Sequence, residues 1–163
     1  MESIFQFFSF AGNEVALFII SMIPLIELRG AIVLGAALNM PMAEVFLISV
    51  FGNLLPVPIL ILFARQILII LKKIPLIKTW VYAYEEKVVR KAEQMKSITF
   101  WGLVIFVGIP LPGTGAWTGS FLAAFLNMSF KKALPAIALG VIIAGVIMTA
   151  AAYGIFGILS FLL

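Results

Sequence analysis

Apolar residues run along this 163-residue chain in four long stretches, about 11–38, 42–71, 98–127 and 129–163. A helix rises about 1.5 Å per residue and a bilayer core is about 30 Å thick, so roughly 20 residues suffice to cross it. The second and fourth stretches are continuous enough to do so, with length to spare for tilt or kinks. Bends are expected at Gly52, Pro56 and Pro58 in the second and at Pro135, Gly140 and Gly145 in the fourth. The first and third stretches are interrupted centrally, by PLIELRG at 24–30 and by PLPGTGAWTG at 110–119. These broken stretches also repeat one another. Phe18–Met40 aligns without a gap on Phe106–Met128, 88 residues later, with identities that include Pro24/Pro112 and the closing Leu-Asn-Met; Gly52/Gly140 keeps the register. Asn39 and Asn127 are expected to end one helix before the next begins.

Each broken stretch reads either as one interrupted span or as a re-entrant hairpin whose two arms of about 12 residues reach only partway across. Charge favours the hairpin. The segment Lys72–Lys96 holds seven basic and three acidic residues, and a short basic loop between spans stays in the cytoplasm. A third stretch that crossed fully would carry Lys131 and Lys132 outside, whereas a hairpin returns them to the cytoplasm. The aligned pair Ala43-Glu44 has no positive charge, as an outward corner should.

The expected architecture is therefore an all-α integral membrane protein, a single membrane domain over 1–163. It is an inverted repeat of re-entrant helical hairpin plus transmembrane helix, 11–71 and 98–163, with tips that meet. A basic linker at 72–97 joins the halves. Within it an amphipathic cytoplasmic helix is expected over 78–96, with Val88, Val89, Ala92 and Met95 on one face and Trp80, Tyr82 and Tyr84 suited to the lipid interface.

Composition agrees: 64% hydrophobic residues, 11% charged and a mean hydropathy of +1.22 lie far from soluble averages. The chain has no cysteine and no histidine, which removes thiolate and imidazole metal sites, disulfides and Ser-His-Asp catalysis. No enzyme, cofactor or metal is expected. The basic linker is explained by membrane orientation, so no nucleic-acid partner is expected; the partners are membrane lipids, and the small size admits a homodimer. MESIFQFFSFAGNE lacks a basic n-region and a small-residue cleavage site, so a removable signal peptide is not expected.

Charge inside a membrane is costly, about 2.5–3.5 kcal/mol on insertion scales, and marks function by default. Glu27 and Arg29 sit in the first break. They read either as a mutually neutralising pair or as a substrate site, with the Arg29 guanidinium holding a phosphate or carboxylate and Glu27 as a proton-coupling group. In the second break Gly113, Thr114 and Gly115 read either as a simple turn or as an anion nest opening a helix N-terminus, with Trp117 and Thr118 adding contacts. Glu14 and Glu44 are further proton-coupling candidates near the outer edge. Arg65 is a secondary charge that reaches the cytoplasmic interface by snorkelling.

At IELRGAI and IPLPGTGAWTG, and across nearly the whole chain, the sequence resembles the small multidrug export family. The two-hairpin plan and the P-x-P-G element at Pro110–Gly113 also resemble the DedA superfamily, several of whose members move lipids or a polyprenyl-phosphate carrier. The resemblance implies transport across the cytoplasmic membrane of a prokaryote, with Glu27, Arg29 and the Pro-Gly-Thr-Gly tip as counterparts of the superfamily's site. The acidic residues that DedA motifs place around P-x-P-G are missing here, with Phe106 before it and Thr114 after. Three functions are thus open: translocation of an amphipathic anion such as polyprenyl phosphate, proton-coupled export of hydrophobic cations with Glu27 as counter-ion, and a non-transporting membrane scaffold.

Overall fold

A computed structural model describes residues 12–73, 96–111 and 113–162. The linker helix expected over 78–96 lies outside the described residues but for its last position. Among the described residues the secondary structure is helical: α1 Asn13–Met22, α2 Glu27–Ala37, α3 Met42–Leu54, α4 Val57–Lys73, α5 Lys96–Gly108, α6 Ala116–Phe125 and α7 Phe130–Leu162. Both expected interruptions are real. The first separates α1 from α2 and the second separates α5 from α6. Helices of 10 and 11 residues such as α1, α6 and α2 rise only about 15–17 Å, half a hydrocarbon core.

Two segments are long and apolar enough to span, Met42–Ala64 (23 residues) and Phe130–Gly154 (25 residues). In the first, Pro56 and Pro58 remove two ladder donors two residues apart, and the helix breaks into α3 and α4 at Leu55–Pro56. In the fourth stretch the helix is not interrupted: α7 runs continuously through Pro135, Gly140 and Gly145. One proline near a helix start deletes a single bond, which the remaining turns tolerate.

Gly140 and Gly145 instead admit neighbours. A Cβ on Gly140 would come within 2.6 Å of Val107 Cβ and 2.9 Å of Val104 O on α5, and one on Gly145 within 2.9 Å of Phe46 on α3. Gly52 does the same for α3 against α1, where an added Cβ would overlap Ser21 Oγ and lie 2.7 Å from Phe18 O. The aligned glycines thus play one part in each half, letting the spanning helix press on the first short helix.

The halves also end their second short helices identically. Asn39 (φ 54°) and Asn127 (φ 51°) are both left-handed. Asn39 N donates to Ala36 O and Met40 N to Gly35 O; Asn127 N donates to Ala124 O and Met128 N to Ala123 O, each at 3.0 Å. This is the Schellman pattern twice over, and it satisfies the last carbonyls as the caps required.

Besides packing on its own spanning helix, each inner short helix packs on the other half, α2 on α7 and α6 on α4. The buried core, including Leu17, Ile32, Val45, Val107, Ile137 and Val141, is continuous across both halves. Tyr153 Oη donates to Met40 O at 2.8 Å, while Gly145 meets Phe46 and Val50, so α7 runs antiparallel to α3. Its exposed Lys131 and Lys132 therefore lie at the end towards which α4 runs.

The Gly52 contact predicts a test of this packing. Gly52→Ala should cost roughly 1–3 kcal/mol of stability through overpacking, read as a lower thermal midpoint in detergent. Gly102→Ala, where nothing lies within 4 Å, should leave the midpoint in place, and equal behaviour of the two variants would contradict a tight α1–α3 crossing.

Candidate functional site

The two breaks meet, and they hold each other by their helix ends. An interrupted helix leaves amides unpaired at the new N-terminus and carbonyls unpaired at the old C-terminus, with partial positive and negative charge respectively. In the second break the C-terminus of α5 and the N-terminus of α6 are presented side by side. Arg29 takes carbonyls of the turn just after α5 and Glu27 the amide end of α6.

The Arg29 guanidinium donates to Leu111 O, to Ile109 O at 3.4 Å and to Thr114 Oγ1 at 2.7 Å. Thr114 Oγ1 stands 2.8 Å from Ile109 O and 2.7 Å from Leu111 O, one of which accepts its proton, so Arg29 and Thr114 converge on the carbonyls of the turn that follows α5. Glu27 is 5% exposed. Its Oε1 accepts from Trp117 N at 3.2 Å, and the Ala116 amide is also directed at the carboxylate. Gly115 makes room for this: at φ 133° it is in glycine territory, and a Cβ there would overlap Glu27 Oε2 and lie 2.7 Å from Cδ. The amides at the carboxylate are those of Ala116 and Trp117, just after the expected Gly113–Gly115 nest, of which Gly115 contributes the space.

Repeat register explains the arrangement. Position 27 aligns with 115 and 29 with 117. Glu27 sits against its own repeat mate, Gly115. Arg29 reaches across to carbonyls at the end of α5, and its mate Trp117 reaches back, donating Nε1–H to Met22 O at the end of α1 at 3.1 Å. The contacts are reciprocal in direction and differ in chemistry.

The first tip is strained to achieve this. Leu25 (φ 75°) and Glu27 (φ 51°) are both left-handed without being glycine, and such conformations cost about 1–3 kcal/mol each unless neighbours fix them. Glu27 N bonds to Ile23 O at 3.0 Å, and the side chain is thereby turned into the seam. The two terminal nitrogens of the Arg29 guanidinium and the Glu27 carboxylate find hydrogen-bond partners on the second tip, while Arg29 Nε is buried without one.

Of the other expected site residues, Gly113 lies at an open turn (φ 81°), where an added Cβ would have nothing within 4 Å. Thr118 is exposed and donates to Gly115 O at 3.4 Å within its own turn, so it makes no contact across the seam. Glu14 is exposed at the start of α1, and Glu44, half-buried, opens α3; neither joins the tips. The side chain of Arg65 lies outside the described residues. The Ile109 and Leu111 carbonyls and the Met22 acceptor were not marked by side-chain chemistry, since backbone atoms carry no signature in sequence. The alignment of 29 with 117 was their only trace.

A double-mutant cycle should expose the Glu27–Gly115 contact. Gly115→Ala should destabilise the chain markedly in the native background and less so in Glu27→Ala, where only the backbone penalty is left, giving a coupling of about 1 kcal/mol or more in unfolding measurements. Additive effects would separate the two residues.

The geometry can be set beside known proteins. Neither a curated protein nor a solved structure matches the chain. A family model does, over residues 27–147, under the description "Putative small multi-drug export protein". The match opens on Glu27 and takes in Arg29, the whole second break, α3 and the first half of the antiparallel α7, so it covers most of the chain. The protein belongs to this small multi-drug export family.

Proposed function

We propose that this protein exports an amphipathic anion, of which a polyprenyl phosphate is one form, through a prokaryotic cytoplasmic membrane, and that the seam between the two breaks is its substrate site. One observation carries this reading: a helix N-terminus with a glycine cradle already holds a carboxylate there, supplied by Glu27. An anionic head that takes the same amides displaces Glu27 and parts the tips. Arg29 then leaves the α5 carbonyls and offers its planar donors to the head. Leu25, 96% exposed, with Ile26, Ile109 and Leu111, gives the tail an apolar path to lipid. Glu27, released, takes up a proton.

In the membrane, α1–α2 and α5–α6 are two re-entrant hairpins entering from opposite faces. Their short arms and the antiparallel course of α3 and α7 support this, as does the placing of Lys131 and Lys132 at the end towards which α4 leads. With the 72–97 linker in the cytoplasm, that end is cytoplasmic and the Asn39–Glu44 corner faces outward.

A second reading has its own support in the carbonyl cradle. Ile109 O, Leu111 O and Thr114 Oγ1 hold a tethered cation, and a hydrophobic cation that replaced the guanidinium would be exported with Glu27 as counter-ion.

Transport in proteoliposomes distinguishes them. For a polyprenyl phosphate the expected order is wild type, Arg29→Lys, Arg29→Ala, since lysine keeps charge but loses the planar fork, and Glu27→Gln should flatten the pH profile. Transport of a lipophilic phosphonium cation that fails in Glu27→Gln, with no phosphate transport in any variant, would establish the second reading instead. Topology is checked separately. The native chain has no cysteine, so Lys132→Cys should label only from the cytoplasmic side, and labelling from outside would overturn the inverted arrangement.

A further inference from the structure

Ser49 and Asn53 lie one turn apart on α3, with Gly52 on the same face. Both side chains are fully buried, and neither the Ser49 hydroxyl nor either polar atom of the Asn53 amide has a hydrogen-bond partner. Other buried serines behave differently: Ser21 donates to Phe18 O and Ser120 to Ala116 O, each at 2.7 Å. An unpaired buried polar group costs about 1–3 kcal/mol, so two neighbouring side chains left in this state call for a ligand. The backbone beside them also lacks donors. Pro56 has no N–H for the Gly52 carbonyl and Pro58 none for that of Leu54, each being the residue four positions on. Against this face lies the last turn of α1, with Ser21 Oγ and Phe18 O close enough that Gly52 admits no Cβ. That turn carries the negative end of the α1 dipole.

We propose that Ser49 and Asn53, with the Gly52 carbonyl and the C-terminal turn of α1, bind one alkali-metal cation. The donor set decides the class of ion. It consists of a hydroxyl, an amide carbonyl and backbone carbonyls, all neutral. Divalent ions are held chiefly by carboxylates, and among the described residues no group of three or more His, Cys, Asp or Glu side chains comes together. Neutral oxygens gathered at interrupted helices are how monovalent cations are held inside transport proteins. The site also reaches the seam. Ser21 is followed by Met22, whose carbonyl accepts Trp117 Nε1–H, so one helical turn borders the cation on one side and the second break on the other. A bound cation fixes that turn and favours the closed tips.

The test uses the purified chain in detergent with sodium chloride against choline chloride at constant ionic strength and no transport substrate. Saturable binding of radioactive sodium and a raised thermal midpoint in sodium alone are expected. Ser49→Ala, a one-atom deletion on an intact helix, should weaken sodium binding about tenfold, and Asn53→Ala should do so at least as much. Ser120→Ala, whose hydroxyl is satisfied within its own helix, should leave the affinity in place. Absence of saturable sodium binding to the wild-type chain, or unchanged affinity in Ser49→Ala and Asn53→Ala, overturns the site. Since no substrate is present, that failure is distinct from any failure of the transport reading.

Discussion

A helix broken inside a membrane must find partners for the amides and carbonyls it exposes, because hydrocarbon supplies none. This requirement organises the molecule. The second break gives its carbonyl end to Arg29 and its amide end to Glu27, while the first gives a carbonyl to Trp117. The interruptions are bonded to each other, so the halves are tied at the place where each exposes backbone polar groups. Ion placement follows the helix dipoles, with cation at the C-terminus and anion at the N-terminus, and the cost of burying Glu27 and Arg29 is offset by ends that are themselves charged.

The same requirement explains why the repeat diverges where it does. Positions distant from the meeting point keep their identities, as Asn39/Asn127 do, because a helix end needs the same left-handed cap in both halves. Where a position meets its own mate, identity is excluded. Glutamate at both 27 and 115 would oppose two carboxylates in a space with no room even for a Cβ, so one half carries the charge and the other the glycine. The charges and the glycine tip thus meet in one seam, with Glu27 contributed by the first break and Gly115 by the second.

Much of this was legible beforehand. Hydrophobic stretches, both interruptions and the Asn caps follow from local rules that a sequence carries directly, as does the singling out of Glu27, Arg29 and Gly115 as unusual residues at the breaks. What was not legible is partnership. Glu27 and Arg29 are two residues apart and invite a pairing reading, yet their partners are 80 to 90 residues away. Pro135, near a helix start, leaves α7 continuous, whereas Pro56 and Pro58 act together to interrupt their span. Ser49 and Asn53 passed unnoticed, since polar residues in a span are unremarkable until their hydrogen bonds are counted.

In the proposed transport cycle, the pairing that sequence suggested acquires a different meaning. Opening the seam strips Glu27 of the α6 amides and Arg29 of the α5 carbonyls, and both then face apolar surroundings. Direct pairing would neutralise them without a proton, but side chains two apart at the start of a helix project in different directions. Arg29 has an alternative partner in the incoming anion; Glu27 has none and is left as a buried carboxylate beside lipid. Protonation is the remaining way to relieve it. In this cycle proton uptake is then a consequence of substrate entry into the seam, which draws the carboxylate away from the α6 amides at which the left-handed backbone of Glu27 aims it when closed.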